Sequence, residues 1–228
     1  MKTIYEKNKH LLPFAIYMFT YLTWFAWLED RYIWRYQVIH VPMDDYIPFC
    51  ELFIIPYFLW FAYIPAVVLY LAWHNRDGYY KSAIFLCTGM TIFLLVSTLF
   101  PNGHHLRPVV MPRDNIFSHM VTLLYRTDTP TNLWPSIHVY NSLGAHIALY
   151  HSQLGKKKWI RIPSLLLCVS IVLSTMFLKQ HSFFDVATAF VMAGVMYVLV
   201  YRCDLLYYLR QLRTGMRERR SRRAAEKL

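Results

Sequence analysis

Charged residues are scarce in this chain: 16% of its 228 positions are Asp, Glu, Lys or Arg, against about 25% in ordinary soluble domains. Glycine is also rare, at 7 residues, which excludes collagen-like architecture and glycine-rich linkers. The four cysteines, Cys50, Cys87, Cys168 and Cys203, show no CxxC spacing and lie in or beside apolar runs. They read as packing residues, so neither a zinc centre nor a disulfide framework follows. Internal repeats and low-complexity segments are missing too. Apolar residues are abundant instead: 57% of the chain is hydrophobic and 18% aromatic, which excludes disorder and shifts the composition toward lipid. A net charge of +11 would by itself suit nucleic acid. Its distribution does not, because residues 202–228 hold nine Lys/Arg against three acids, outside the apolar body. A basic tail on an apolar body is a membrane-face signal, and no nucleic-acid partner is expected.

A membrane-crossing helix needs about 20 mostly apolar residues. Residues 11–28, 49–73, 83–100, 163–178 and 183–201 meet or approach this. A sixth stretch, 137–150, is short and dotted with His138, Asn141, Ser142 and His146, so alone it is compatible with a re-entrant segment. The charge distribution favours a crossing. With six spans and a cytoplasmic amino terminus, one side carries Lys2, Lys7, Lys9, Arg76, Lys81, Lys156, Lys157, Lys158, Arg161 and the Arg-rich tail. The other side balances its bases with acids, as the positive-inside rule requires. The fold class expected is all-α: a six-helix polytopic membrane domain over 1–204 and a basic cytoplasmic tail over 205–228. The first span lacks a small-residue cleavage site and reads as a retained helix, not a signal peptide. Trp24, Trp27, Trp34, Trp60 and Trp73 fall near span ends, where amphipathic rings favour the interface. The expected location is a plasma (inner) membrane with both termini cytoplasmic.

Three polar clusters fall on the extracytoplasmic side of this topology. Pro101-Asn102-Gly103-His104-His105-Leu106-Arg107-Pro108 follows the third span, and Pro135-Ser136-Ile137-His138 opens the fourth. The last runs from Ser174 through Lys179-Gln180-His181 to Asp185, between the fifth and sixth spans. Ionisable groups at the edge of a membrane core are expensive and tend to mark function. His181 and Asp185 are four apart, on one face of a helix starting near Ser182. The carboxylate can accept from imidazole Nδ1–H, leave Nε2 free toward a substrate, and stabilise a histidine that attacks phosphorus. A buried His–Asp pair joining two helices is the alternative. His138 stands where a general acid for a leaving alkoxide would act, and Ser136 can cap a helix and contact phosphate. Arg107 offers a fork of donors suited to phosphate. His104 and His105 read as loop residues. No HxxxH or His/Cys spacing converges with further acids, so no metal centre is expected.

Pro135-Ser136-Ile137-His138, followed by Ser174, His181 and Asp185 at spacings of seven and four, resembles motifs two and three of the type 2 phosphatidic acid phosphatase (PAP2) superfamily. Arg107-Pro108 resembles the end of that family's first motif, and the likeness covers about residues 83–201. It implies a six-helix membrane core, with chemistry passing through a phosphohistidine and using no metal or other cofactor. Carried over by position, His181 is the nucleophile, Asp185 its orienting carboxylate, His138 the general acid, and Ser136 a phosphate contact. Three positions depart from the family pattern. Phe100 stands where the family has Lys, Thr175 where it has Arg, and Ile137 where it has Gly. Lys179, Arg126 and Arg113 are the candidates to replace the two missing charges. The bulkier second motif and the Gln180-His181-Ser182 sequence are similar to the inositol phosphorylceramide synthase branch, which passes the phosphoryl group to an alcohol. The function expected is a lipid-phosphate phosphatase or phosphotransferase, with a membrane lipid phosphate as substrate and the bilayer as partner. A transferase of that branch and a non-catalytic lipid transporter or assembly factor on the same scaffold are the alternatives.

Overall fold

The computed structural model describes residues 8–31 and 35–225; Lys2, Lys7 and Trp34 lie outside them. The chain is mostly helical. Each of the six apolar stretches forms a helix: α1 Leu12–Asp30, α2 Ile54–His74, α3 Arg76–Leu99, α5 Ile137–Tyr150, α6 Lys158–Phe177 and α7 Phe183–Tyr197, the last prolonged by a π-helical turn, Val198–Arg202. An amphipathic helix, α4 Ile116–Thr127, precedes α5, and α8 Leu205–Ala225 carries the basic tail. Two-residue strands β1 Gln37–Val38 and β2 Asn102–Gly103 pair in parallel.

Four segments are long and apolar enough to cross a membrane: Glu51–His74, Arg76–Leu99, Lys158–Phe177 and Phe183–Arg202. Their apolar residues face outward as well as inward. Phe61 on α2, Leu166 on α6 and Val191 on α7 are all exposed, as helices bathed in hydrocarbon require. The other two helices differ in kind. α1 has 19 residues but is interrupted by Tyr, Thr and Trp and ends in Glu29-Asp30. α5 has 14 residues, about 21 Å of helix against a hydrocarbon core of about 30 Å.

The shortness and polarity of α5 are explained by its position. Nine of its residues are buried, from Ile137 to Leu149, because α2, α3, α6 and α7 pack around it. Its close fit against α3 is reciprocal. A Cβ on Gly89 would stand 2.0 Å from the Tyr140 ring, and one on Gly144 would stand 2.7 Å from Phe85. The two rings so admitted stack at 4.7 Å, and Tyr140 Oη donates to the Phe85 carbonyl at 2.8 Å. Small residues thus let two backbones approach, the usual route to helix association where lipid supplies no hydrophobic drive.

Four of the helices, α3, α4, α5 and α7, start on side-chain caps. Asn75 accepts from Gly78 N, and Asn115 from Ser118 N, both at 2.9 Å. Ser182 and Asp185 form a capping box on α7. α6 begins at Lys158, five residues before the Pro163 start expected from sequence. Proline in the second turn forgoes one hydrogen bond, which the flanking helix tolerates.

Candidate active site

The ends of α5, α6 and α7 meet at one end of the bundle, and the connections that lead there are tightly tied. Buried Asn102 accepts from Leu133 N and Trp134 N, both at 2.9 Å, through Oδ1. Glu29, at the end of α1, accepts from Thr129 Oγ1 at 2.6 Å and Asn132 Nδ2 at 3.0 Å. The segment 129–134 is thereby held so that Ser136 caps α5 and His138 lies in its first turn. The Ser136 hydroxyl accepts from Val139 N at 3.5 Å, and its own N–H donates to the Asp185 carbonyl at 3.3 Å.

His181 arrives by a different route. α6 closes with Lys179 in the left-handed region, φ 53°, where glycine is the usual occupant. This reversal lets Gln180 N and His181 N both donate to the Thr175 carbonyl, at 2.9 and 3.0 Å. His181 is consequently in the turn before α7 and not on the helix itself, a difference from the sequence expectation. Its separation of four from Asp185 still brings the side chains together, because Ser182 is the cap and Asp185 folds back over it. Asp185 Oδ2 accepts from Ser182 N at 2.9 Å and stands 3.4 Å from His181 Nδ1.

The two histidines meet. His181 Nε2 lies 3.4 Å from His138 Nδ1, although the residues are 43 apart in sequence. His138 is flanked by Tyr57 and Trp60 of α2, with ring centroids 4.8 and 4.6 Å away. Burial, with the Arg107 charge adding to it, pushes the His181 imidazole down to about 3, so at neutral pH it is an uncharged nitrogen base. His181 Nδ1, Asp185 Oδ1 and Arg107 Nε are buried with no hydrogen-bond partner among the described residues. Buried polar atoms are seldom left so, and two of them on the adjoining His181 and Asp185 side chains suit a site that receives a polar group.

Arg107 occupies the neighbourhood in a way the sequence did not disclose. Its fork donates to the carbonyls of Asp128 at 2.7 Å, Thr129 at 3.2 Å and Tyr125 at 3.3 Å, and to Gln180 Oε1, while its guanidinium lies over the Tyr125 ring at 4.5 Å. Only Nε is left unpaired among its donors. Gln180 also donates to Asp128 Oδ2 at 3.1 Å, which accepts from Tyr57 Oη at 3.2 Å. Arg107 therefore bears on His181 through its charge, and it fixes the side chain of the neighbouring Gln180. Burial holds the Asp128 carboxyl up at about 6, with Arg107 opposing the rise.

His104, read from the sequence as a loop residue, is buried and structural. Its Nδ1 accepts from Leu106 N at 3.2 Å, so Nε2 carries the proton and donates to the Gln180 carbonyl at 2.9 Å. Burial pushes its imidazole down to about 4.

Lys179 points to the other side of the turn. Its ammonium donates to the Asp44 carbonyl at 2.8 Å and faces a cleft of about 460 Å³ shared with His40, Asp45 and His105. Asp44, in the helical turn Met43–Tyr46, lies outside the three polar clusters of the sequence. Its carboxylate, 2% exposed, accepts from Ser182 Oγ at 2.6 Å, Phe183 N at 2.7 Å and Val41 N at 3.0 Å. One residue thus grips the His181 turn from both sides, through 179 and through 182–183. The carboxylate also lies at the positive end of the α7 dipole.

Of the candidates to replace the missing charges, Arg113 is paired with Glu51 at 2.5 Å and Arg126 is exposed. Phe100 is 61% exposed, and Thr175 is buried with its hydroxyl donating to the Val172 carbonyl at 2.8 Å. Among the described residues no group of three or more His, Cys, Asp or Glu is placed to hold a metal ion. Comparison with known protein families, curated proteins and solved structures finds no match to the chain.

Proposed function

We propose that this chain is a six-span membrane phosphatase or phosphotransferase of PAP2 type, acting on a lipid phosphate at the extracytoplasmic face through a phosphohistidine on His181. The observation that carries the reading is the 3.4 Å approach of His138 to His181, with Asp185 at 3.4 Å on the far side of the same imidazole. An orienting carboxylate, a neutral nucleophile and a neighbouring second histidine form the set that double displacement at phosphorus needs.

In this mechanism Asp185 closes the 3.4 Å to His181 Nδ1 as substrate binds, keeping the proton there and leaving the Nε2 lone pair for phosphorus. A phosphoryl group enters by parting the two rings, since nothing larger than a hydrogen bond fits between nitrogens 3.4 Å apart. His181 Nε2 attacks, the phosphorus–oxygen ester bond breaks, and His138 protonates the departing oxygen. His138, now the base, then takes a proton from water or an alcohol, whose oxygen displaces His181 from phosphorus. Arg107 Nε, the Ser136 hydroxyl and the unfilled backbone donors at the α5 start are the groups to stabilise charge on the phosphoryl oxygens. Lys179 binds substrate from the cleft side.

The positive-inside charge pattern supports six crossings with both termini cytoplasmic, and the burial of α5 by its neighbours supports counting that short helix among them. Purified protein assayed for phosphate release or head-group transfer from lipid phosphates tests the reading. His181→Ala should abolish turnover, and Asp185→Asn should slow formation of the phosphoenzyme. Wild-type rates in the His181 variant would refute the assignment. The alternative, a non-catalytic carrier or assembly factor, predicts no turnover with any lipid phosphate.

A further inference from the structure

A second cleft lies at the other end of the bundle. It has a volume of about 600 Å³ and runs between the residues leading into α1, the start of α3 and the first turns of α8. α3 extends from Arg76 in this cleft to Leu99 beside the Asn102 anchor of the active-site segment, so its 24 residues separate the two ends by about 36 Å. Nothing in the chemistry proposed above uses it.

The lining is asymmetric in charge. Lys9, Arg76 and Arg210 contribute three bases, of which Arg210 is shared with Asp77, and none of the described lining residues is an acid. Tyr80 adds a phenol, and Leu206 and Leu209 an apolar wall. The wall is held in place: α8 is pinned to α3 by Arg210 on Asp77 at 2.7 Å and by Lys81 on Asp204 at 3.1 Å. Beyond the cleft, α8 turns Tyr207, Tyr208, Leu212 and Met216 outward, all exposed, before its sequence becomes arginine-rich. A helix with an outward apolar start and a basic continuation, leaving the end of a bundle of membrane-length helices, suits the headgroup level of a bilayer.

We propose that this cleft binds the phosphodiester of an anionic phospholipid from the leaflet opposite the histidine pair. The cationic rim meets the phosphate, and Leu206 and Leu209 meet the glycerol and the first acyl carbons. A zwitterionic lipid carries an ammonium beside its phosphate, which Lys9 and Arg76 disfavour. The apolar wall and the outward face of α8 favour a lipid over a soluble anion.

Native mass spectrometry of the full chain in detergent tests this, with phosphatidylglycerol and phosphatidylcholine of identical acyl chains as probes. One phosphatidylglycerol should be retained in preference to phosphatidylcholine. In Lys9→Glu/Arg76→Glu its dissociation constant should rise at least about tenfold, since each basic residue near an anionic lipid contributes appreciably. Lys9→Gln, a change at an exposed position, should give a smaller rise in the same direction and serves if the double variant does not fold. Equal retention of the two lipids, or unchanged affinity in both variants, overturns the proposal. Displacement of phosphatidylglycerol by inorganic phosphate at matching concentration would also overturn it, by showing a site for soluble anions.

Discussion

Replacing Asp44 by Ala probes the architecture around His181. The carboxylate is buried and takes three hydrogen bonds, two of them from the first turn of α7, while the residue's carbonyl takes the Lys179 ammonium. Hydrogen bonds to a charged group contribute about 1.5–3 kcal/mol each when their loss strands a buried partner. Here the cleft beside Lys179 gives water a path to the stranded donors, and the Ser182 hydroxyl can turn elsewhere. A loss of about 2–4 kcal/mol in local stability is therefore expected, somewhat above that of an ordinary helix cap. Amide hydrogen exchange in the full chain should report it. Protection at Phe183 and its neighbours should fall at least about thirtyfold, because each 1.4 kcal/mol is a factor of ten. Asp44→Asn should lose less, since one oxygen remains for Phe183 N and the Ser182 hydroxyl can reverse to accept from the amide. On the proposed function, turnover per folded molecule should fall with protection, because the same turn sets His181 against His138. Unchanged exchange at 182–185 in the Ala variant would refute the reasoning.

Gly89→Ala should destabilise by at least about 1–3 kcal/mol, the range for overpacking a tight core, because its Cβ would meet the Tyr140 ring at 2.0 Å. Gly194→Ala, where nothing lies within 4 Å, should be neutral or stabilising by about 0.5–1 kcal/mol; thermal unfolding of the two variants in one detergent compares them. Arg107→Lys keeps the charge but cannot serve the three carbonyls and Gln180 together, so its melting temperature should fall. Stability should also fall between pH 7 and pH 5. His181 and His104, at about 3 and about 4 in the folded chain against an ordinary 6.5, bind protons more readily when unfolded, so stability is lost as pH drops below 6.5. Asp128, raised to about 6, acts in the opposite direction below that pH. A higher melting temperature at pH 5 than at pH 7 would contradict this balance.

The helical stretches could be read from composition, because burying a backbone in hydrocarbon demands long runs of apolar residues whatever their neighbours. The adjacency of His181 and Asp185 was also legible, since a separation of four is a local relation that survives moving His181 off the helix. Other parts left no local trace. Asp44 reaches Ser182 across 138 positions, and an aspartate in a polar loop looks the same whether it caps a distant helix or faces water. Arg107 has the composition of a phosphate clamp, yet most of its donors are spent on carbonyls that only folding of residues 125–129 places around it.

The chain's order of residues thus determined its helices, its charge asymmetry and the short-range pairing at the α7 cap, all of which depend on interactions within a few turns. Tertiary structure alone decided that His138 faces His181, that α5 can be short and polar, and that Asp44 holds the His181 turn. The reason is steric and long-range: Gly89 and Gly144 let α3 and α5 approach, and the reversal at Lys179 returns the chain over the end of α6. Neither relation is encoded in any window of sequence shorter than the fold.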